Sequence, residues 1–129
     1  MADLNQTIDK INNTPDYTDR FHPQDIAQNK VMAILSYISI LVLIPVFAAK
    51  NSAFAKFHAN QGLILFIAQF GLGLVLGLLG LIPYVGVVFS ILMWICEVVL
   101  FALSLTGLIY AILGKAKELP FIGGIYILK

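Results

Sequence analysis

The sequence predicts an all-α, polytopic membrane protein of three transmembrane helices, with a short interfacial helix between the first and second. Two observations carry this. Apolar runs occupy residues 31–49, 61–82 and 85–113, and only 12% of residues are charged against 60% hydrophobic. Most of the charge is crowded into the first thirty residues and the loops. An apolar helix of about 20 residues crosses the roughly 30 Å hydrocarbon layer, and within that layer only helices and closed barrels satisfy their own backbone groups. The runs lack the polar alternation of a barrel strand and therefore read as helices.

A length of 129 residues leaves room for one compact unit and excludes a second domain. The chain divides into a flexible polar N-terminal tail (1–22), a three-helix transmembrane domain (23–113) and an interfacial C-terminal tail (114–129). A formal net charge of +1, without a basic patch interleaved with aromatics, excludes nucleic acid as a partner. Cys96 is the single cysteine and lies in the third apolar run, so an internal disulfide or a cysteine metal cluster is excluded. Ala53-Phe54-Ala55 resembles a signal-peptide cleavage site. The first 28 residues, however, carry Asp3, Asp9, Asp16, Asp19 and Asp25 against Lys10 and Arg20, the wrong charge for a leader, so the first run is expected to stay as a membrane helix.

Residues 1–22 are rich in Asn, Asp and Thr and lack a sustained apolar period, so little offsets the entropy of ordering them. Pro23, Gln24 and Asp25 read as a helix first turn: proline fits where the amide has no partner, and the acid suits the positive helix end. The first helix carries Ser36, Tyr37 and Ser39, is kinked in its last turn by Pro45, and is expected to end near Ala49.

Next, Lys50 to His58 is too short and polar to span. Its Phe54, Phe57 and His58 fall at helical spacing, which predicts a helix lying in the interface with its phenylalanines toward the acyl chains and Lys50 and Lys56 at the headgroups. An ordinary loop is the alternative. Phe54, Lys56, Phe57, His58, Asn60 and Gln61 are candidates for contact with headgroups or a partner, although capping and anchoring of the second helix explains His58, Asn60 and Gln61 as well.

In the second helix Gly62, Gln69, Gly73, Gly77 and Gly80 step by seven, four, four and three residues and keep near one face. Small residues at that spacing admit a neighbouring backbone, and Gly73 to Gly77 is a GxxxG pair, read here as packing within one subunit. After a turn at Pro83 and Tyr84, the third helix carries Ser90, Glu97 and Ser104 seven apart, with Gly86 near the same line, so one face is meant for protein.

Glu97 is the one carboxylate inside an apolar run, and an acid there costs a few kcal/mol, which makes it a site candidate. An antiparallel hairpin turning at 83 and 84 sets position 69 roughly opposite position 98, so Gln69 is the expected hydrogen-bond partner of a protonated Glu97. The competing readings of this polar pair are a fixed helix register, proton or ion handling, and exposure to headgroups. Trp94 and Cys96 read as packing residues. The chain contains no Ser/His/acid set, HExxH, P-loop or dinucleotide fingerprint, so no enzyme, cofactor or metal is expected. With three spans, Lys50, Lys56, Lys115, Lys117 and Lys129 share one side against Lys10, Arg20 and Lys30, which favours a cytoplasmic C-terminus.

Four segments carry a resemblance: Asn29 to Tyr37, Phe54-Ala55-Lys56-Phe57-His58-Ala59-Asn60-Gln61-Gly62, Ile82-Pro83-Tyr84-Val85-Gly86, and Lys117-Glu118-Leu119-Pro120-Phe121-Ile122-Gly123. Over residues 29–129 the chain resembles the Tic-twenty-like family of small bacterial membrane proteins, which includes the magnetosome proteins MamF and MmsF and is related to the chloroplast inner-envelope import component. The resemblance implies a location in the bacterial inner membrane and no catalytic residues. The expected function is a membrane scaffold or accessory subunit that aids protein insertion, translocation or membrane organisation, in contact with the lipid bilayer and with itself or a membrane protein partner. The rival is a homo-oligomeric channel or proton-coupled transporter using Glu97. The tail is expected to fold back on the interface or the helix ends, anchored by Phe121, Ile125 and Ile127.

Overall fold

The computed structural model describes residues 16–120, 122 and 125–128. Helices are its only regular elements among the described residues: α1 (Pro23–Leu35), α2 (Leu43–Ala48), α3 (Ala53–Leu79) and α4 (Gly86–Ile112), with 3-10 turns at Thr18–Arg20 and Ser39–Val42. An isolated antiparallel bridge joins Asp16 to Lys117.

The first apolar run does not form one helix. α1 starts as its sequence directs, with Pro23 in the first turn, Asp25 behind it and the His22 ring accepting from the Gln24 amide at 3.4 Å. It kinks at Asn29, whose side chain bonds back to the Asp25 carboxylate at 2.9 Å, and stops at Leu35. Ser36 turns its hydroxyl onto the Met32 carbonyl at 3.1 Å, a local bond that competes with helix continuation. Ser39 then takes a positive φ of 46°, outside the right-handed α-helical region, so α1 cannot continue through it. Pro45 explains why the helix restarts where it does: its ring would clash with a carbonyl four residues back, so it fits only in a first turn, and it occupies the first turn of α2. The kink expected in a last turn is thus a break and a new beginning.

The break reverses the chain. On the outward path the Asp25 carboxylate accepts from the Phe54 amide at 2.9 Å and from the Ser52 hydroxyl at 2.5 Å, Ser36 lies against Gly62, and Ile38 and Ser39 share a cavity with Gln69. On the return path Pro45 and Ala49 share a cavity with Lys56 and Ala59. Residues 23–49 therefore run up α3 to the level of Gln69 and back down to its start.

α3 and α4 are antiparallel and 27 residues each, about 40 Å at 1.5 Å per residue. These two are long and apolar enough to cross a membrane. The expected interfacial helix is not a separate element, because residues 53–60 are the first turns of α3, capped by the Ser52 hydroxyl accepting from the Ala55 amide at 3.0 Å.

The core sits at one end of the hairpin. Ala33, Tyr37, Phe54, Phe57, Leu65, Ala111, Ala116 and Leu119 are buried together, and Phe21 packs edge-on against Phe57 at 5.7 Å between ring centres. Residues 16–22, expected to belong to a flexible tail, are held here: the Tyr17 amide donates to the Ala116 carbonyl and the Ala116 amide to the Thr18 hydroxyl, at 2.8 and 2.9 Å. Hydrogen bonds from Thr18 also hold the Asp16 carboxyl below its ordinary range. Residues 1–15, and Phe121 with them, lie outside the described residues. Beyond the core α3 and α4 are bare, with Phe70, Leu78 and Trp94 each at least 60% exposed.

Candidate functional site

The Phe-His-Ala-Asn-Gln block is the centre of the core, not a surface. Phe54, Phe57, His58, Asn60 and Gln61 are all buried, and Lys56 alone of the candidates for headgroup or partner contact is partly exposed. Apolar spacing could not reveal this, because a phenylalanine facing lipid and one facing protein follow the same period.

Each polar group of the block has a partner within the chain. The Lys115 carbonyl lies 2.8 Å from His58 Nε2. A carbonyl only accepts, so Nε2 carries the hydrogen and Nδ1 is the acceptor for the Tyr37 hydroxyl at 2.7 Å. Gln61 donates to the same hydroxyl at 2.8 Å, and its carbonyl accepts from the Leu119 amide at 2.7 Å. Asn60 donates to the Ile125 carbonyl at 2.7 Å and accepts from the amides of Ile127 and Leu128 at 2.5 and 3.0 Å. Residues 58–61 thus join three pieces of chain: the break after α1, the end of α4 and the C-terminal segment. The tail lies on the helix ends, with Leu119 and Pro120 buried and Ile125 and Ile127 half-exposed. The Tyr126 hydroxyl donates to Glu118 at 2.6 Å, and burial together with that carboxylate raises the phenol above its ordinary range.

The second site is the polar line inside the hairpin. Gln69 donates to the Ser104 hydroxyl at 3.5 Å, a long bond, in place of the expected bond to Glu97. Gln69 and Glu97 instead line one cavity of about 330 Å³ with Trp94, Val98 and Phe101. A cavity of about 270 Å³ on the other side of Gln69 is lined by Tyr37, Ser39 and Ser104 among others.

The small residues divide by what a methyl group would meet. At Gly62 it would fall 1.7 Å from the Ser36 carbonyl oxygen, and at Gly86 2.2 Å from that of Gly80. At Gly80 it would sit 2.8 Å from the Ser90 hydroxyl. Gly73 and Gly77 face Glu97 and Met93 across α4 at ordinary contact distances, 3.5 and 3.9 Å, so the GxxxG pair packs within the hairpin without needing to be glycine. Gly107 escaped the sequence reading, yet a methyl group there would lie 2.3 Å from the Tyr37 ring. Its signal was faint, since it falls three residues after Ser104 and continues that polar line.

No family model matches the chain, and no solved structure matches it. It is similar to the magnetosome protein MmsF of Paramagnetospirillum magneticum (strain AMB-1), with 33% identity over 100 residues, covering 74% of this chain and 83% of that protein. The two long apolar helices and this similarity together fit a small membrane accessory protein. Identity at that level over most of both chains shows kinship, and this chain belongs to the MamF/MmsF family of small membrane proteins.

Proposed function

We propose that this protein is an accessory or scaffold subunit of the bacterial inner membrane, without enzymatic activity, which acts through its bare helical faces on a second copy or on another membrane protein. One observation carries the reading: the polar side chains of the Phe-His-Ala-Asn-Gln block are spent on holding the chain together, so what the molecule offers outward is apolar helix. Assistance to protein insertion or translocation, the role implied by resemblance to Tic-twenty-like proteins, is one form of that work, and membrane organisation is another. Photo-crosslinking in native membranes tests the proposal, and its probe belongs at Phe70, which is 66% exposed, not at the buried Phe57. Adducts to a stoichiometric membrane protein or to the chain itself are expected; adducts to lipid alone would refute it.

A topology accompanies this proposal. Residues 23–49 form a re-entrant hairpin that enters and leaves on one side, while α3 and α4 cross. Helical backbone that stops inside the hydrocarbon layer is tolerated where protein covers it, and here Ser36 is buried against Gly62. Arg20, Lys30, Lys50, Lys56, Lys115 and Lys117 then share one side, whereas the turn at 81–85 carries no charge. Positive-inside counting makes the charged side cytoplasmic. In a Cys96→Ser background, Asp19→Cys and Asn51→Cys are expected to react from the cytoplasm and Tyr84→Cys, 97% exposed at the turn, from outside. Three crossings would instead put Asp19→Cys on the side of Tyr84→Cys.

The cavities flanking Gln69 favour a second reading, in which several subunits conduct protons or ions past Glu97. Glu97→Gln separates the two. The accessory reading expects unchanged assembly and cross-linking, and no ion or proton flux from reconstituted wild type in liposomes. Wild-type flux abolished by Glu97→Gln would decide for the channel.

A further inference from the structure

Glu97 stands near the middle of α4, half-buried, and faces Gly73. Among the described residues its carboxyl group has no hydrogen-bond or ion-pair partner, because the Gln69 amide that lines the same cavity bonds to Ser104 instead. A carboxyl group placed in hydrocarbon without a partner is costly, so the site lacks a group that the chain itself does not supply. Three other residues lining that cavity, Trp94, Val98 and Phe101, belong to a longer stripe. Val87, Ile91, Trp94, Val98, Phe101 and Leu105 succeed one another by alternate steps of four and three residues, and each is between 43% and 69% exposed. Such an alternation is the seam of two helices wound about each other at 3.5 residues per turn. Nothing in the chain packs on this seam closely enough to bury it.

We propose that α4 pairs along this stripe with α4 of a second copy, and that the two Glu97 carboxyl groups complete each other's hydrogen bonding at the contact. Copies inserted the same way are related by a two-fold axis along the bilayer normal, so each residue of the seam meets its own counterpart at its own depth. In its acid form a carboxyl group carries one donor and a free acceptor, and it can therefore bond reciprocally to its own copy. That self-complementarity decides for a second copy. Acyl chains offer neither donor nor acceptor, and a foreign helix would need a matching polar residue at the same depth. The inference rests on the accessory reading above and names its partner as this chain, held through Glu97.

The test uses the full chain in phosphatidylcholine vesicles, in a Cys96→Ser background. Energy transfer is measured between copies labelled at Tyr84→Cys, on the exposed turn, as the protein is diluted with lipid. Association is expected with Glu97 in place. Glu97→Gln should retain it, because an amide is equally self-complementary. Glu97→Leu, which keeps the helix propensity, should weaken it roughly tenfold, the worth of a hydrogen bond between membrane helices. In unlabelled protein with Tyr84 restored, Val98→Cys is expected to close a disulfide with its counterpart under mild oxidation. Val99→Cys, at nearly the same depth but about 100° round the helix, is not. Association unchanged in Glu97→Leu would overturn the carboxyl pairing, and equal disulfide yields at 98 and 99 would overturn the seam. Protein that stays monomeric in the vesicles, while the Phe70 probe in native membranes captures a different membrane protein, refutes the second copy and leaves the accessory reading standing. Protein that alkaline extraction removes from the vesicles refutes the membrane reading beneath both.

Discussion

Gly62→Ala is expected to detach the reversed segment from α3. The new methyl group would stand 1.7 Å from the Ser36 carbonyl oxygen, with the Ser36 carbonyl carbon at 2.6 Å. These are backbone atoms at the end of α1, so no side-chain rotation relieves the clash, and α1 must move away as a body. Overpacking in a core costs about 1–3 kcal/mol, and here the displacement would also uncover Ser36 and pull Tyr37 from His58 and Gln61. A loss of about 3 kcal/mol or more is expected in denaturant unfolding followed by tyrosine fluorescence. Gly71→Ala is the matched control: nothing lies within 4 Å of its added methyl group, and alanine is favoured over glycine in a helix by about 1 kcal/mol. It should be neutral or slightly stabilising. If both variants unfold alike, the close approach of Ser36 to Gly62 is not what holds the segment down.

This contrast also marks what the sequence could disclose. The two long helices and the turn at Pro83 and Tyr84 were legible because length and apolar content suffice for them. The fate of residues 31–49 was not, since a run that crosses and a run that reverses have the same composition, and the features that decide it are local: the back-bonded Ser36, the positive φ at Ser39 and the first-turn position of Pro45. The glycine register pointed to the packed face of α3 but could not rank its members. Gly62 sits against backbone that leaves no room for a methyl group, Gly80 against a Ser90 hydroxyl that must turn aside for one, and Gly73 at ordinary contact distance. Gln69 and Glu97 line one cavity as the hairpin register implies, yet the amide bonds to Ser104, about two helical turns along α4 from Glu97. The block at 54–61 and the Leu-Pro tail both stood out in the sequence as separate signals. Only the fold reveals that they are two halves of one junction.

Cutting that junction at Gln61 should release the tail while leaving the hairpin whole. Gln61→Leu keeps the volume and the helix propensity, so α3 is undisturbed. The Leu119 amide, buried in the core, loses its acceptor, and the Tyr37 hydroxyl loses one of its two partners. A buried donor left without a partner costs about 1–3 kcal/mol. Because Leu119 belongs to the tail, the cost falls on tail docking, and opening of the tail can relieve it by giving the amide to water. A shift of about 2 kcal/mol raises the open fraction roughly thirtyfold. The measurement is limited trypsin digestion at Lys115 and Lys117, which lead into the docked segment and are held against the core by the Lys115 carbonyl on His58 and by Leu119 on Gln61. Cleavage there is expected to accelerate by about that factor, with unfolding of α3 and α4 unchanged. Asn60→Ala, which frees the Ile127 and Leu128 amides beyond the cleavage sites, should accelerate it less, because Leu119 stays bonded and buried. An unchanged rate in Gln61→Leu would mean that apolar packing of Leu119 and Pro120 holds the tail without the amide bond.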